Sequence, residues 1–334
     1  GRRDFLYRND GNGQFVDITE AAGLSSLEGR QLGVIFLDFD DDGDPDLFQG
    51  NDATPNGLFR NEGDGTFVDV GLLSGVAFNG SGKPEGTMGV DAGDVDGDGR
   101  QDLVMTNFQW ESNTLYQATS PGSFDDVSRE SGVGGSSFDR LAFGINLFDA
   151  DNDGDQDLFV ANGHIDEDIE RFDPQAAYGQ PNQLYLNDGA GRFEDVSAVA
   201  GEAFAVALVS RGSVAFDYDD DGDQDLFVVN SGQPARLLRN DASTGNHWLA
   251  LQLVGRFTNR DGFGAHVRVA CGGSAWLQEH RSGVSYLSQD DPRLHFGLGP
   301  CTAVDSVTIR WPSGRTQALK DVAVDRVLRI EEPS

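Results

Sequence analysis

Cysteine and methionine are nearly absent, two of each in 334 residues, and basic residues are scarce, with 24 Lys and Arg against 56 Asp and Glu. Each shortage excludes something. A net charge of −32 would repel nucleic-acid phosphates, so nucleic acid is not a partner. With no CxxC pair and no histidine at metal spacing, the two cysteines fit a single disulfide better than a metal motif. No apolar run approaches membrane-spanning length, so no membrane span is expected. Nucleophile elbows, phosphate loops, HExxH and dinucleotide-binding glycine motifs are also missing, which removes the commonest catalytic signatures. The sequence opens at Gly1 without methionine, which fits a removed leader or a start lying further upstream.

What is present is glycine, 44 residues, and phenylalanine, 22, a composition that suits many short strands joined by tight turns. Acidity is not spread evenly. Residues 1–235 hold 46 acidic residues against 12 basic, whereas residues 236–334 hold 10 against 12. The character of the chain therefore changes near Arg236, and two domains are expected, 1–240 and 241–334. The acids are interleaved with Phe, Leu and Val instead of running in blocks, which argues against a disordered acidic tail. Cations are the natural partner.

The first domain is repetitive. LDFDDDGDPDLF from Leu37, GDVDGDGRQDLV from Gly93, FDADNDGDQDLF from Phe148 and FDYDDDGDQDLF from Phe216 share one pattern, their first aspartates spaced by 56, 55 and 68 residues. Between them run FLYRNDGNGQFVDI from Phe5, GLFRNEGDGTFVDV from Gly57, TLYQATSPGSFDDV from Thr114 and QLYLNDGAGRFEDV from Gln183, with a trimmed RLLRND at Arg236. Each full unit reads as four short strands, with Asn/Asp-Gly turns that suit tight hairpins. A recurring four-stranded unit predicts an all-β, propeller-like array of blades, with a stacked or open β array as the alternative. The long third spacing places an insertion at residues 164–181, where binding could reside; His164 there is either a contact residue or a hydrogen-bonded turn residue. Phe5–Ile18 supplies only the last two strands of a blade. Its edges would be completed by the last blade of the same chain, closing a small ring, or by another copy, assembling head to tail into a filament.

The acidic loops carry the chemistry. A D-x-D-x-D-G-x-x-D loop turns its alternate side chains at positions 1, 3 and 5 to one side, bends at the position-6 glycine, offers a main-chain carbonyl at position 7 and closes with the aspartate at position 9. The residues are Asp38, Asp40, Asp42, Asp44 and Asp46; Asp94, Asp96, Asp98, Arg100 and Asp102; Asp149, Asp151, Asp153, Asp155 and Asp157; and Asp217, Asp219, Asp221, Asp223 and Asp225. An arginine at position 7 can serve because only its carbonyl is required. An EF-hand would need glutamate at position 12, where Gln49, Met105, Val160 and Val228 stand instead. Such dense carboxylates repel one another without a cation, and Ca²⁺, which accepts many oxygen ligands in flexible geometry, suits them better than Mg²⁺. About four Ca²⁺ are expected, holding structure rather than running chemistry.

These loops, with their L-[YF]-x-N-x-G-x-G-x-F-x-D-V hairpins, resemble the FG-GAP/VCBS repeats of integrin α-like propellers. NRDGFGAHVRV from Asn259, QEHRSGVSYLSQ, HFGLG and VDSVTIRWPSG resemble the ASPIC/UnbV domain. The resemblance covers nearly the whole chain. It implies Ca²⁺ at the loop positions named and a secreted or cell-surface location; it implies no known reaction. On its own residues the C-terminal part reads as a smaller β domain, with Trp311 and Phe296 in its core and Cys271 and Cys301 either bonded to each other or buried as free thiols. The expected role is an extracellular, calcium-stabilised structural or adhesion module that binds protein, glycan or itself. The alternative is a secreted enzyme with a site in the 164–181 insertion or among His266, Glu279, His280, Arg281 and His295, which are otherwise ordinary surface polar residues.

Overall fold

The computed structural model describes residues 4–24 and 29–334. Alternating apolar and polar residues between Gly-rich turns produce antiparallel sheets throughout the first domain. An N-terminal hairpin, β1 (Tyr7–Gly11) and β2 (Gln14–Asp17), stands as a two-stranded sheet. Three four-stranded blades follow: β3 (Gln31–Leu37), β4 (Asp46–Asn51), β5 (Gly57–Asn61) and β6 (Phe67–Asp69); β7 (Val90–Gly93), β8 (Asp102–Met105), β9 (Thr114–Ser120) and β10 (Ser123–Asp126); β11 (Ala142–Phe148), β12 (Asp157–Asn162), β13 (Gln183–Asn187) and β14 (Phe193–Asp195). A fourth has three strands, β15 (Ser210–Phe216), β16 (Asp225–Asn230) and β17 (Arg236–Leu238). The fold is all-β and propeller-like.

The first strands of the blades lie side by side, β3 against β7, β7 against β11, and β11 against β15. A glycine makes each approach possible. A Cβ on Gly33 would stand 2.8 Å from the Met88 carbonyl, and one on Gly144 2.6 Å from the Arg211 carbonyl. In the fourth blade the equivalent Gly212 meets the Tyr286 carbonyl instead, because a loop of the C-terminal domain takes the place where another strand would pack. Val90 and Ile145 are both 0% exposed between the blades, and the equivalent Ser213 of the fourth blade is buried in a hydrogen bond to Asn146, but the equivalent Val34 at the start of the row is 58% exposed. Phe227 and Val229 are likewise exposed at the other end. The row of blades is an open arc.

The N-terminal hairpin does not close a ring against the last blade, as one reading of the sequence expected. Leu6 and Ile18 pack on the first blade's cluster of Leu24, Leu47 and Phe59, and among the described residues no strand pairing joins the hairpin to β15–β17. The connection there is set by local contacts: Leu6 N donates to Thr19 Oγ1 at 2.8 Å, and Ile18 N to the Leu6 carbonyl at 2.9 Å.

The last blade strand ends at Leu238 and the next begins at His247. The C-terminal domain stacks a three-stranded sheet, β18 (His247–Val254) between β21 (Leu294–Gly299) and β24 (Arg326–Glu331), on a four-stranded one ordered β20 (Ser274–Glu279), β19 (His266–Cys271), β22 (Ala303–Arg310) and β23 (Thr316–Ala323). Leu249, Leu251, Val267, Val307, Phe296 and Trp311 fill the space between the sheets. Cys271 and Cys301 form a disulfide, their Cα atoms 6.4 Å apart. No helix among the described residues is long and apolar enough to cross a membrane.

Candidate metal centres and the interdomain clamp

Each acidic loop joins the first two strands of a blade, and the same hydrogen bonds recur in all four. The position-1 carboxylate accepts from the glycine N–H at position 6, with Gly43, Gly99, Gly154 and Gly222 donating to Asp38, Asp94, Asp149 and Asp217 at 2.8–3.0 Å. The position-5 carboxylate caps the N–H of position 7, as Asp42 does for Asp44 and Asp98 for Arg100. The aspartate at position 9 is a clasp. One of its oxygens accepts the N–H of position 2 (Phe39, Val95, Ala150 and Tyr218) and the other an N–H at the end of the third strand (Asn61, Ala118, Asn187 and Asn240). The asparagines of this set also tie back to position 8, Asn61 Nδ2 donating to the Pro45 carbonyl at 3.0 Å and Asn187 Nδ2 to that of Gln156 at 3.1 Å. The repeated L-[YF]-x-N motif is therefore part of the loop's mounting, beyond being a turn signal.

These bonds leave carboxylate oxygens converging. Asp38, Asp40 and Asp42; Asp94, Asp96 and Asp102; Asp149, Asp151 and Asp157; and Asp217, Asp219 and Asp225 each bring three ligand atoms within 4.8 Å of one another. Positions 1 and 3 belong to every group; the third member is position 5 in the first loop and position 9 in the others. Asp44, Asp155, Asp223 and Arg100 take no part through side chains: the Arg100 guanidinium turns to Asp98 and to the Ala118 carbonyl, leaving its main-chain oxygen as its only means of ligation.

The electrostatics ask for a positive charge. Burial pushes Asp46 and Asp157 up to about 8 and Asp102 up to about 7, against the opposing pull of their N–H donors. Asp149 is raised well above the ordinary carboxylate range, first by burial and then by Asp157 and Asp153. Asp38 Oδ1 and Asp40 Oδ1 are buried and accept no hydrogen bond among the described residues. Orphaned anionic oxygens beside further carboxylates fit a hard cation with many oxygen ligands, and the donor set suits Ca²⁺. The residues that would hold it are the aspartates at positions 1, 3, 5 and 9 with the carbonyl of position 7, and the chemistry supplied is charge neutralisation and cross-linking of the loop.

Sequence reading did not find what covers these loops. The C-terminal domain lies against all four. At the first, Arg310 Nη2 and His266 Nε2 reach Asp38 Oδ2 at 3.0 and 3.3 Å, and Glu279 Oε2 accepts the Asp38 N–H at 3.2 Å. Burial would raise Asp38, but the hydrogen bonds from His266 and Arg310 hold it below its ordinary value. At the second, Arg281 donates to Gln101 Oε1 at 2.6 Å and to the Ala92 carbonyl. At the third, the Trp276 indole lies on Gly154, and His295 Nε2 pairs with Asn152 Oδ1 at 2.7 Å. At the fourth, Trp248 lies on Gly222, and Arg293 binds Asp220 at 2.7 Å and the Asp217 carbonyl at 2.9 Å. The connecting segment joins in, since Thr244 Oγ1 and Asn246 Nδ2 both donate to the Asp151 carbonyl at 2.9 Å.

The histidines and Glu279 are accordingly not surface residues. His266 and Glu279 are both directed at Asp38 of the first loop, Arg281 at the second and His295 at the third, while His280 is buried with its ring 4.7 Å from that of Phe263. At the centre of the arc, Ser285 pairs with Val90, its Oγ accepts from Ile145 N at 2.9 Å, and Asp290 accepts from Asn146 Nδ2 and Ala215 N, each at 2.8 Å. A polar cleft of about 430 Å³ remains between Asp91, Asp149, Trp276, Arg281 and Arg293. His164, in the insertion, is buried and accepts the Asp166 N–H at 3.0 Å, the geometry of a turn residue.

An arc of Asp-loop blades capped by a β domain defines the class. A profile of FG-GAP-like repeats matches residues 1–49, 38–105 and 94–160, and one for ASPIC and UnbV matches residues 255–334. This is an FG-GAP-repeat chain with a C-terminal ASPIC and UnbV domain. The fourth loop, Asp217–Asp225, lies outside the matched repeats yet reproduces their geometry. The chain is similar to cartilage acidic protein 1 of Homo sapiens, 28% identical over 316 residues, covering 90% of this chain and 43% of that protein. The Mus musculus protein is 27% identical over 307 residues, covering 86% and 43%. The chain thus spans less than half the length of these relatives. Among solved structures, an Agrocybe aegerita lectin recognising non-reducing terminal N-acetylglucosamine is 19% identical with a TM-score of 0.37, covering 72% of this chain and 61% of that one. The V. cholerae biofilm matrix protein Bap1 is 12% identical with a TM-score of 0.34, covering 86% and 48%.

Proposed function

We propose that this chain is an extracellular, non-enzymatic binding module in which four Ca²⁺ ions rigidify the blade loops and thereby seat the C-terminal domain. The observation that carries the reading is the fourfold repetition of a three-carboxylate cluster, on loops each of which is contacted by side chains of the C-terminal domain. The disulfide supports the location, and the acidic loops suit calcium-rich surroundings. Four of the former acid–base candidates, His266, Glu279, Arg281 and His295, serve as interdomain contacts, which supports a structural role for them. The scaffold so formed would present its surfaces to a protein or glycan, or to another copy. At calcium a hundredfold above its dissociation constant each site adds about 2.7 kcal/mol to stability. Chelation should lower the melting temperature sharply and make the 239–246 connection cleavable by protease; an unchanged proteolysis pattern with and without chelator overturns the reading.

A further inference from the structure

At the opposite end of the strands from the acidic loops, three connections of the second and third blades converge: residues 106–113, 127–141 and 163–182. Trp110 stands at their centre with φ +68°, a conformation that a bulky side chain rarely adopts. Three bonds hold it there. Its N–H donates to the Phe138 carbonyl at 2.9 Å, its ring meets that of Phe138 edge-on at 5.7 Å, and its indole N–H donates to Asp173 Oδ2 at 3.0 Å. All this order leaves the two rings in water, Trp110 40% and Phe138 48% exposed.

The surroundings are acidic. Residues 108–111, 137–140 and 164–182 carry seven Asp and Glu against two arginines. Both arginines are engaged, Arg140 with the Pro181 carbonyl and Arg171 with Asp168. Aromatic faces ringed by carboxylates attract a cation twice over, through the ring quadrupole and through the surrounding charge.

We propose that Trp110 and Phe138, flanked by Asp139 and Asp173, form a docking platform for a basic segment of a protein partner, a Lys or Arg side chain lying on the indole with its charge toward the carboxylates. The charge complementarity selects this partner over a neutral saccharide, which would use the rings but leave the acidic rim unmatched. The proposal rests on the reading of the chain as a binding module, yet its test reads peptide binding and not the calcium-dependent melting temperature.

The probe is a short fluorescein-labelled Lys/Arg-Gly peptide, followed by anisotropy on the calcium-loaded chain, with a Glu-Gly peptide and chitotetraose as comparators. The basic peptide should bind at one site, more weakly as salt rises. Trp110→Gly relieves the left-handed backbone and so keeps the loop; it should weaken binding about tenfold, while Trp110→Phe retains most of it and Glu20→Gln, in the N-terminal segment, changes nothing. No binding of the basic peptide, equal affinity in Trp110→Gly, or chitotetraose binding that alone is lost in Trp110→Gly overturns the proposal. Failure here with an unchanged calcium-dependent melting temperature removes the platform and leaves the scaffold reading standing.

Discussion

The contact between loop glycines and tryptophans of the C-terminal domain allows the clamp to be tested by adding one methyl group. Gly154 and Gly222 hold φ +102° and +96°, and a Cβ on either would collide with an indole, Trp276 or Trp248. Gly99 of the second loop has φ +87° and nothing within 4 Å of the same position. Alanine at all three therefore incurs the left-handed backbone penalty, about 1–2 kcal/mol. Only at Gly154 and Gly222 does overpacking add about 1–3 kcal/mol. Urea unfolding at saturating calcium should give Gly99→Ala a loss of about 1–2 kcal/mol and Gly154→Ala and Gly222→Ala losses of about 2–5 kcal/mol. Trp276→Ala combined with Gly154→Ala should return the excess, because the collision is gone. Three alanine variants losing the same amount would mean that the indoles do not press on the loops, and the clamp would fail with them.

Reducing the Cys271–Cys301 bond, which closes a loop of 30 residues, should cost about 3–4 kcal/mol, measured as a lowered unfolding midpoint of a Cys271→Ser/Cys301→Ser variant. Asp290 is buried beside Asp91, and burial reinforced by that neighbour pushes it up to about 8. The folded chain then keeps a proton that the unfolded chain releases near pH 4, so Asp290 erodes stability as pH climbs from about 4 to about 8. Asp290→Asn preserves both accepted hydrogen bonds through its Oδ1 and should be neutral at pH 4 but more stable than the parent at pH 7, read by urea unfolding at both; a variant whose stability falls with pH as the parent's does would contradict this.

Much of the blade architecture was legible because a repeat states the same instruction several times. The four D-x-D-x-D-G-x-x-D loops, the strands on either side and the Asn-Gly hairpins all fall where period-2 alternation and turn chemistry put them. The glycine five residues before each loop, Gly33, Gly89, Gly144 and Gly212, was in plain view, but its reason, contact with the next first strand, is a tertiary fact. The clamp was not legible at all. Its pairs are far apart in sequence, Asp38 with Arg310 and Asn152 with His295, and nothing in an isolated Arg or His names its partner. That is why Glu279, His266 and His295 read as surface residues or a catalytic cluster when they are interface contacts. Trp110 was missed for a related reason, since a positive φ on tryptophan leaves no mark in composition or periodicity.

The most direct test of the account is elemental analysis of the purified chain after washing in calcium-free buffer, read beside the same measurement on Asp40→Ala, which removes a position-3 carboxylate from the first cluster. The account predicts about four calcium ions per chain and one fewer in the variant, with loss of the remainder and of thermal stability on chelation. Fewer than three calcium ions per chain, or a variant that binds as many as its parent, would contradict it.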